Sequence, residues 1–404
     1  MADQTGQIGG EALLVKRWQY LLLICSLLLL TGCWDRIELN DVAIVTAAGI
    51  DRGEHNEIEL TIQVFIPRTL SGGGAMQGGG LQNMTLVRTA KGVNIADAMS
   101  KIQMKIPRMI FWGHCKVYLY GEAIAKSGIT ELVDYLARHP EPRNRAYMYV
   151  SKGKAADVLT VTPEIERYSA ETVRELSGLH VGMEVTLIDL LKMLKGPSKA
   201  AILPIISLYT TKGSETKLNP YLMGSAVFKE GKMIGQLTER MTRGVMWVRN
   251  EIAATTVTVK AKNVKGFVSL NPIRETTKLT PVIQNGKWKM IVAVETEGDL
   301  IQNGTNLNLV SPELLHLMQV ALRKDIETRI NRTLQHVQHG MKADVFGFAT
   351  QFHRKYPKEF AAVKDRWEEK FPTIEIDLKI SSYIRRPGLI TIPAGIPESE
   401  VKQK

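Results

Sequence analysis

Few side chains here have a type and spacing that invite chemistry, and each can be weighed on its own geometry. His114 and Cys115 are adjacent within Phe111-Trp112-Gly113-His114-Cys115-Lys116-Val117, and a histidine beside a thiol is the raw material of nucleophilic catalysis. The apolar pattern predicts a strand over Phe111 to Leu119. Neighbours on a strand point to opposite faces, so the pair cannot meet, and Cys115 reads as a small buried apolar side chain. His336 and His339 lie three apart near the end of a helical stretch, a spacing open to a metal. No carboxylate or third histidine completes that set, and cationic side chains are favoured at a helix C-terminus anyway. Glu368-Glu369 reads as solvated helix surface. Ser71 to Gly80 (SGGGAMQGGG) is a flexible loop and not a phosphate loop, because no Gly-Lys-Ser/Thr follows it. With no nucleotide fingerprint, serine elbow or zinc motif, the sequence points to no catalytic residues, no metal and no cofactor.

The remaining reactive candidate is Cys33. Lys16 and Arg17 precede an apolar run from Trp18 to Leu30. That run is about 13 residues against the ~20 needed to span hydrocarbon, and so reads as a secretory signal. It ends in Leu30-Thr31-Gly32-Cys33, which resembles the lipobox of bacterial lipoproteins. Small residues before the cysteine let a signal peptidase approach the backbone, and the thiol can take a diacylglyceryl group as a thioether. Cleavage is expected between Gly32 and Cys33, with lipidation of Cys33. Each buried CH₂ contributes about 0.8 kcal/mol and one chain anchors only marginally, so two or three acyl chains, palmitate among them, make a lasting tether. Of the three cysteines, Cys25 leaves with the signal and Cys33 is acylated. Cys115 is left with no intramolecular partner, so the exported body must rely on its core.

The 404 residues are 44% hydrophobic and 23% charged, values of a folded rather than disordered or polytopic chain. The formal net charge is +11. Lysines and arginines are scattered among acids, and no basic run is interleaved with stacking aromatics, which argues against nucleic acid. An anionic lipid surface fits the excess better.

Several elements must carry these residues. Val42 to Val45 and Glu57 to Ile66 read as strands, the second alternating in Ile58, Leu60, Ile62 and Val64. Helices are expected over Val93 to Ile106, Ile129 to Ala137 and Leu187 to Leu194, and a strand over Ala146 to Val150. Strands follow at Gly224 to Lys229 and Lys232 to Leu237 about a Glu230-Gly231 turn, at Thr255 to Ala261, and at Lys287 to Val294 after Asn285-Gly286. Ser311-Pro312-Glu313 opens a long helix with Leu315, Met318, Leu322, Ile326, Ile330, Leu334 and Val337 on one face, closed by Gly340. Two shorter helices (Asp344 to Tyr356, Pro357 to Phe371) and a strictly alternating strand from Ile374 to Ile380 complete the chain. This order predicts an α+β protein of several domains, with mixed or antiparallel sheets and packed helices rather than a parallel wound sheet. The expected divisions are a signal at 1–32, an N-terminal domain at 33–196 that breaks near Gly196-Pro197-Ser198, a β-rich middle domain at 197–305, and a C-terminal α+β domain at 306–398, the last two open to counting as one family domain.

Taken together, several stretches resemble one family, the Ger(x)C lipoproteins of endospore-forming bacteria. They are Gly32-Cys33-Trp34-Asp35-Arg36-Ile37-Glu38-Leu39-Asn40, Ala48-Gly49-Ile50-Asp51, Gly113-His114, Tyr120-Gly121-Glu122, Val133-Asp134-Tyr135-Leu136, Asn144-Arg145-Ala146 and Ser151-Lys152-Gly153-Lys154. Further along come Gly224-Ser225-Ala226-Val227-Phe228-Lys229, Thr242-Arg243-Gly244, Ala343-Asp344-Val345-Phe346-Gly347-Phe348, Phe352-His353-Arg354-Lys355-Tyr356-Pro357 and Ile384-Arg385-Arg386-Pro387-Gly388-Leu389-Ile390. Each is weak alone; in one order across nearly the whole chain they are specific. Cys115, where an aliphatic residue is expected, and the long leader depart from the pattern. The resemblance implies three α+β domains and a non-enzymatic C subunit of a nutrient germinant receptor. Such a subunit is held by lipid on the outer face of the spore inner membrane, beside membrane-embedded A and B subunits. Candidate partner contacts are Trp34, Asp35, Glu38 and Leu39 next to the lipid, and Phe346, Phe348 and Tyr356 in the C-terminal part. The rival readings are a lipid-anchored solute-binding protein that captures the nutrient itself, and a cell-envelope hydrolase.

Overall fold

The computed structural model describes residues 17–20, 41–65, 85–211, 213–253, 256–386, 390, 393 and 395–403. Among these, β1 (Val42–Arg52), β2 (Ile58–Phe65) and β3 (Thr85–Gly92) form an antiparallel ladder. Then follow α1 (Ile95–Gln103), β4 (Met109–Phe111), β5 (Val117–Gly121), α2 (Glu122–Ser127), α3 (Thr130–Arg138), β6 (Tyr147–Ser151) and α4 (Ala155–Thr160). Next are α5 (Ser169–Gly178), α6 (Leu187–Lys195), β7 (Ala200–Thr211), β8 (Ser214–Lys229) and β9 (Lys232–Thr238). These nine strands make one sheet in the order β3-β2-β1-β5-β6-β7-β8-β9, with β4 paired to β1. The sheet is mixed, as expected, yet β1, β5, β6 and β7 run parallel at its centre. It draws on strands from both sides of the Gly196-Pro197-Ser198 stretch.

Apolar residues on both faces explain the position of these central strands. On one face Ala47, Val117, Leu119, Tyr149 and Ile206 meet Ala155, Val158, Leu159, Ala170 and Val173 of α4 and α5. The opposite face carries Ile50, Tyr118, Tyr120 and Val150 into a larger core with Ile102 of α1, Leu132 and Leu136 of α3, and Leu190 of α6. The predicted alternation in β2 holds, with Ile58, Leu60, Ile62 and Val64 buried. Thr61 and Gln63 on its other face are buried too. Gln63 Nε2 donates to Leu159 O and Ser169 Oγ, each at 3.0 Å, so this polar side chain binds α4 and α5 to the sheet.

The second sheet, ordered β10-β11-β12-β13, is built from β10 (Val257–Val259), β11 (Val268–Gln284), β12 (Lys287–Asn303) and β13 (Glu375–Arg386). Both predicted turns form: Glu230-Gly231 joins β8 to β9 and Asn285-Gly286 joins β11 to β12. All four residues have positive φ, which two-residue hairpins with right-handed strand twist require. The helix α7 (Glu239–Arg249) precedes this sheet, and α8 (Pro312–Gln335) begins at the proline as expected. Met318, Leu322, Ile326, Ile330 and Leu334 of its predicted face are buried, with Leu314 rather than Leu315 at the first turn. One continuous buried cluster includes residues of both sheets, from Ala43 to Ile384.

Four expectations need correction. Phe111 to Leu119 is not one strand: Met109–Phe111 and Val117–Gly121 are separated by a turn closed by Cys115 N–H on Trp112 O at 2.9 Å. Gly113 there sits under the Phe111 ring, where a Cβ would collide. Gly340 does not stop the long helix, which widens into a π-helical turn over His336–Met341 and ends at Lys342 in the left-handed region. The first of the two shorter helices starts late, at Phe348 (α9, Phe348–Lys355), because Gly347 at φ 82° breaks the chain before it. The second is split into α10 (Pro357–Ala361), a 3₁₀ turn at Lys364–Arg366 and α11 (Trp367–Lys370). Phe360, Trp367 and Phe371 all turn into one aromatic cluster, with Trp367 5.2 Å from the Phe360 ring and 6.5 Å from that of Phe371. A continuous helix would set positions 360 and 367 about 10 Å apart along its axis, and the break between them lets their rings close to 5.2 Å.

Candidate functional site

Gly32, Cys33, Trp34, Asp35, Glu38 and Leu39 lie outside the described residues. Near the start of the described body, Ile44 and Thr46 of β1 and Phe65 at the end of β2 form the floor of a cavity of about 290 Å³. His114 and Lys116 reach it from the turn before β5, and Arg167, Tyr168, Glu171 and Arg174 from the start of α5. Lys116 and Arg167 are exposed, while Phe65 and Tyr168 are half-buried with ring centroids 6.4 Å apart. Glu171 sets one oxygen 4.0 Å from Arg174 and buries the other without a hydrogen-bond partner. Sequence reasoning missed this group because its members come from four separate segments, and only the fold of β1 against β5 and α5 unites them.

The residues singled out for catalysis or metal do not assemble. His114 is exposed, edge-on to Phe111 at 5.9 Å, whereas Cys115 is fully buried. Burial pushes the Cys115 thiol up to about 12, so the reactive thiolate is suppressed. The strand argument for separating the two side chains does not apply in a turn, but the opposite burial of neighbours has the same effect. His336 and His339 are both exposed, and no group of three or more metal-ligating side chains occurs among the described residues.

Other stretches that carry the family resemblance meet in space around Asp51. Its carboxylate is buried and accepts the Ala155 and Ala156 N–H groups at 2.8 and 2.9 Å, capping the free N-terminus of α4 from 104 residues away. Burial raises the Asp51 carboxyl above its ordinary value, and the two N–H donors oppose that rise. Gly121 approaches Asp51 Oδ1 so closely that no Cβ fits, and Gly49 packs on Ala155. Glu122 N–H donates to Gly153 O at 2.9 Å, and the Glu122 carboxylate pairs with Lys126 (2.7 Å) and Lys152 (3.0 Å). Hydrogen bonding from Lys126, ahead of Lys152, holds Glu122 below the usual carboxylate range.

Comparison with known proteins decides what these stretches belong to. Residues 35–208 match the family model for the spore germination protein N-terminal domain, and residues 223–388 match that for "Spore germination B3/ GerAC like, C-terminal". The chain belongs to the Ger(x)C family of spore germination proteins. It is 30% identical to spore germination protein KC of Bacillus subtilis over 393 residues, covering 92% of this chain and 96% of that protein. It is also 26% identical to B. subtilis spore germination protein B3, over 90% and 96% of the two chains. The crystal structure of the GerBC protein shares the fold, with a TM-score of 0.55 at 20% identity over 86% of this chain and 99% of that one.

In this Ger(x)C protein the matching stretches of the C-terminal half also make packing contacts. Thr242 Oγ1 donates to Ser225 Oγ at 3.1 Å, and Gly244 lets α7 lie against Thr333 of α8, where a Cβ would strike the hydroxyl. Asp344 is buried and accepts Phe348 N–H (3.0 Å), Ala349 N–H (2.6 Å) and Trp367 Nε1–H (3.2 Å). Burial raises its carboxyl, with those donors acting against the rise. The partner contacts expected at Phe346 and Phe348 are corrected by the same geometry: both rings are buried, 5.5 Å apart and beside Phe371, so they serve the core. Tyr356 is half-buried with Lys355 Nζ 5.2 Å over its ring. Among the described residues no helix is long and apolar enough to cross a membrane.

Proposed function

We propose that this chain is the lipid-anchored C subunit of a nutrient germinant receptor, and that it acts without catalysis through contacts with membrane-embedded A and B subunits. The observation that carries the reading is the pair of family matches running from residue 35 to residue 388, directly after Leu30-Thr31-Gly32-Cys33. Cleavage before Cys33 and acylation of its thiol moor the body on the outer face of the spore inner membrane. Confinement to that layer raises its effective concentration toward its partners. The body is consistent with an interaction role: Asp51 and Asp344 cap helices, burial suppresses the Cys115 thiolate, and no group of three or more metal-ligating side chains occurs among the described residues.

Deleting the gene and scoring nutrient-triggered germination tests the role, with a Cys33→Ala allele in parallel. The expected outcome is loss of the response to at least one nutrient in the deletion, and a comparable loss in the Cys33→Ala strain. Normal responses of both strains to every nutrient, in a background lacking paralogous receptors, would overturn the proposal.

A further inference from the structure

We propose that the cavity between β1 and α5 binds an anionic phosphoryl group through Lys116 and Arg167, and that a phospholipid headgroup of the bilayer is its source. Lys116 and Arg167 form no ion pair among the described residues, so both charges remain free for a ligand. Arg174 is already engaged with Glu171 and Glu175. The first turn of α5 lies in the same wall, but Gln63 Oε1 and Tyr168 O already accept its Ala170 and Thr172 N–H groups and Glu171 places an acid there, so Lys116 and Arg167 supply the free positive charge of the cavity. Phe65 and Tyr168 add half-buried aromatic surface, suited to a ligand with an apolar part beside its charge. About 290 Å³ accommodates a glycerophosphate group.

The choice of a lipid source rests on the mooring reading. Ile44 follows Cys33 by eleven positions, a tether of at most roughly 40 Å when fully extended, so a body held by Cys33 stays close to headgroups. The net charge of +11 favours an anionic surface as well. A headgroup held here would fix which side of the body faces the bilayer, which attachment at the single residue Cys33 does not specify.

The test uses the full-length chain on vesicles of phosphatidylcholine alone or mixed with phosphatidylglycerol, reading the ratio of bound protein. Apolar leader or acyl chains contribute to both compositions alike, so the ratio isolates the headgroup, and loss of Cys33 acylation leaves this readout intact. The expected result is a preference for phosphatidylglycerol that falls at least about tenfold in Lys116→Glu/Arg167→Glu. A Lys358→Glu/Lys364→Glu control, at two exposed sites with the same change of net charge, should keep the preference. A second arm measures thermal stabilisation by glycerol 1-phosphate. Stabilisation that is lost in Lys116→Glu/Arg167→Glu, without a vesicle preference, would support the phosphoryl site and move its source to a soluble ligand. No response in either arm, or equal loss in the control variant, would overturn the proposal.

Discussion

Two buried aspartates, Asp51 in the first sheet and Asp344 in the segment before α9, each cap the N-terminus of a helix, and the two solve the same problem differently. Asp51 leaves the end of β1 to cap α4, a helix 104 residues later, and does so with two backbone N–H groups. Asp344 caps α9, only four residues on, and also accepts the indole N–H of Trp367. The first bond set joins distant segments of the nine-stranded sheet; the second organises a local turn and pins an aromatic cluster to it. The lesson is that an acid at a family-matching position need not be catalytic. A buried carboxylate is tolerated where backbone donors at a helix terminus replace the water it has lost.

The comparison is sharpest where donors would be orphaned. Asp344→Ala leaves three buried N–H groups without an acceptor and should cost about 4 kcal/mol of unfolding free energy in urea titration. Asp51→Ala leaves two and should cost about 3 kcal/mol. A reversed order would mean that the long-range staple, not the number of donors, governs stability. Glu275 supplies the contrast of a half-buried carboxylate without helix donors: its buried Oε2 has no partner, Thr296 Oγ1 lies 3.4 Å from Oε1, and desolvation pushes its carboxyl up to about 8. Because that folded value lies above the ordinary 4.5, its contribution to stability is fully present below about pH 4.5 and is lost as pH rises through about 8. Glu275→Gln should therefore melt close to wild type at pH 5 and above it at pH 9, by about 1–2 kcal/mol equivalent. Equal melting shifts at both pH values would contradict the assignment. The smallest effect is expected at Cys115. Cys115→Val should change stability by less than about 1 kcal/mol, and the native thiol should resist iodoacetamide at neutral pH until the chain unfolds.

How much of this was legible in the sequence depended on periodicity. The long helix, the two positive-φ hairpins and the alternation of β2 were readable because one face of each element meets the core. Helix α7 was not: Val245, Met246, Trp247 and Val248 are all buried, so its C-terminal half shows no polar face to continue a period. The parallel centre of the first sheet was under-read for a related reason, since helices cover both of its faces and erase alternation. Phe346 and Phe348 looked like a contact patch because position along the chain does not reveal depth. The cavity residues carried no local signal, as Lys116 and Arg167 come to line one cavity only through the fold. The Cys33 signal, by contrast, is purely local, a charge, a Leu-rich run and a small pair before a thiol, and needs no fold to be read.

The most direct measurement is therefore the mass of the N-terminal peptide of the protein recovered from spore membranes. A peptide beginning at Cys33 and heavier by a diacylglyceryl thioether, with or without an added N-acyl chain, is the predicted result. A Cys33 carrying a free thiol, or a peptide still continuous with the Leu-rich leader, would contradict the account of a body moored by lipid.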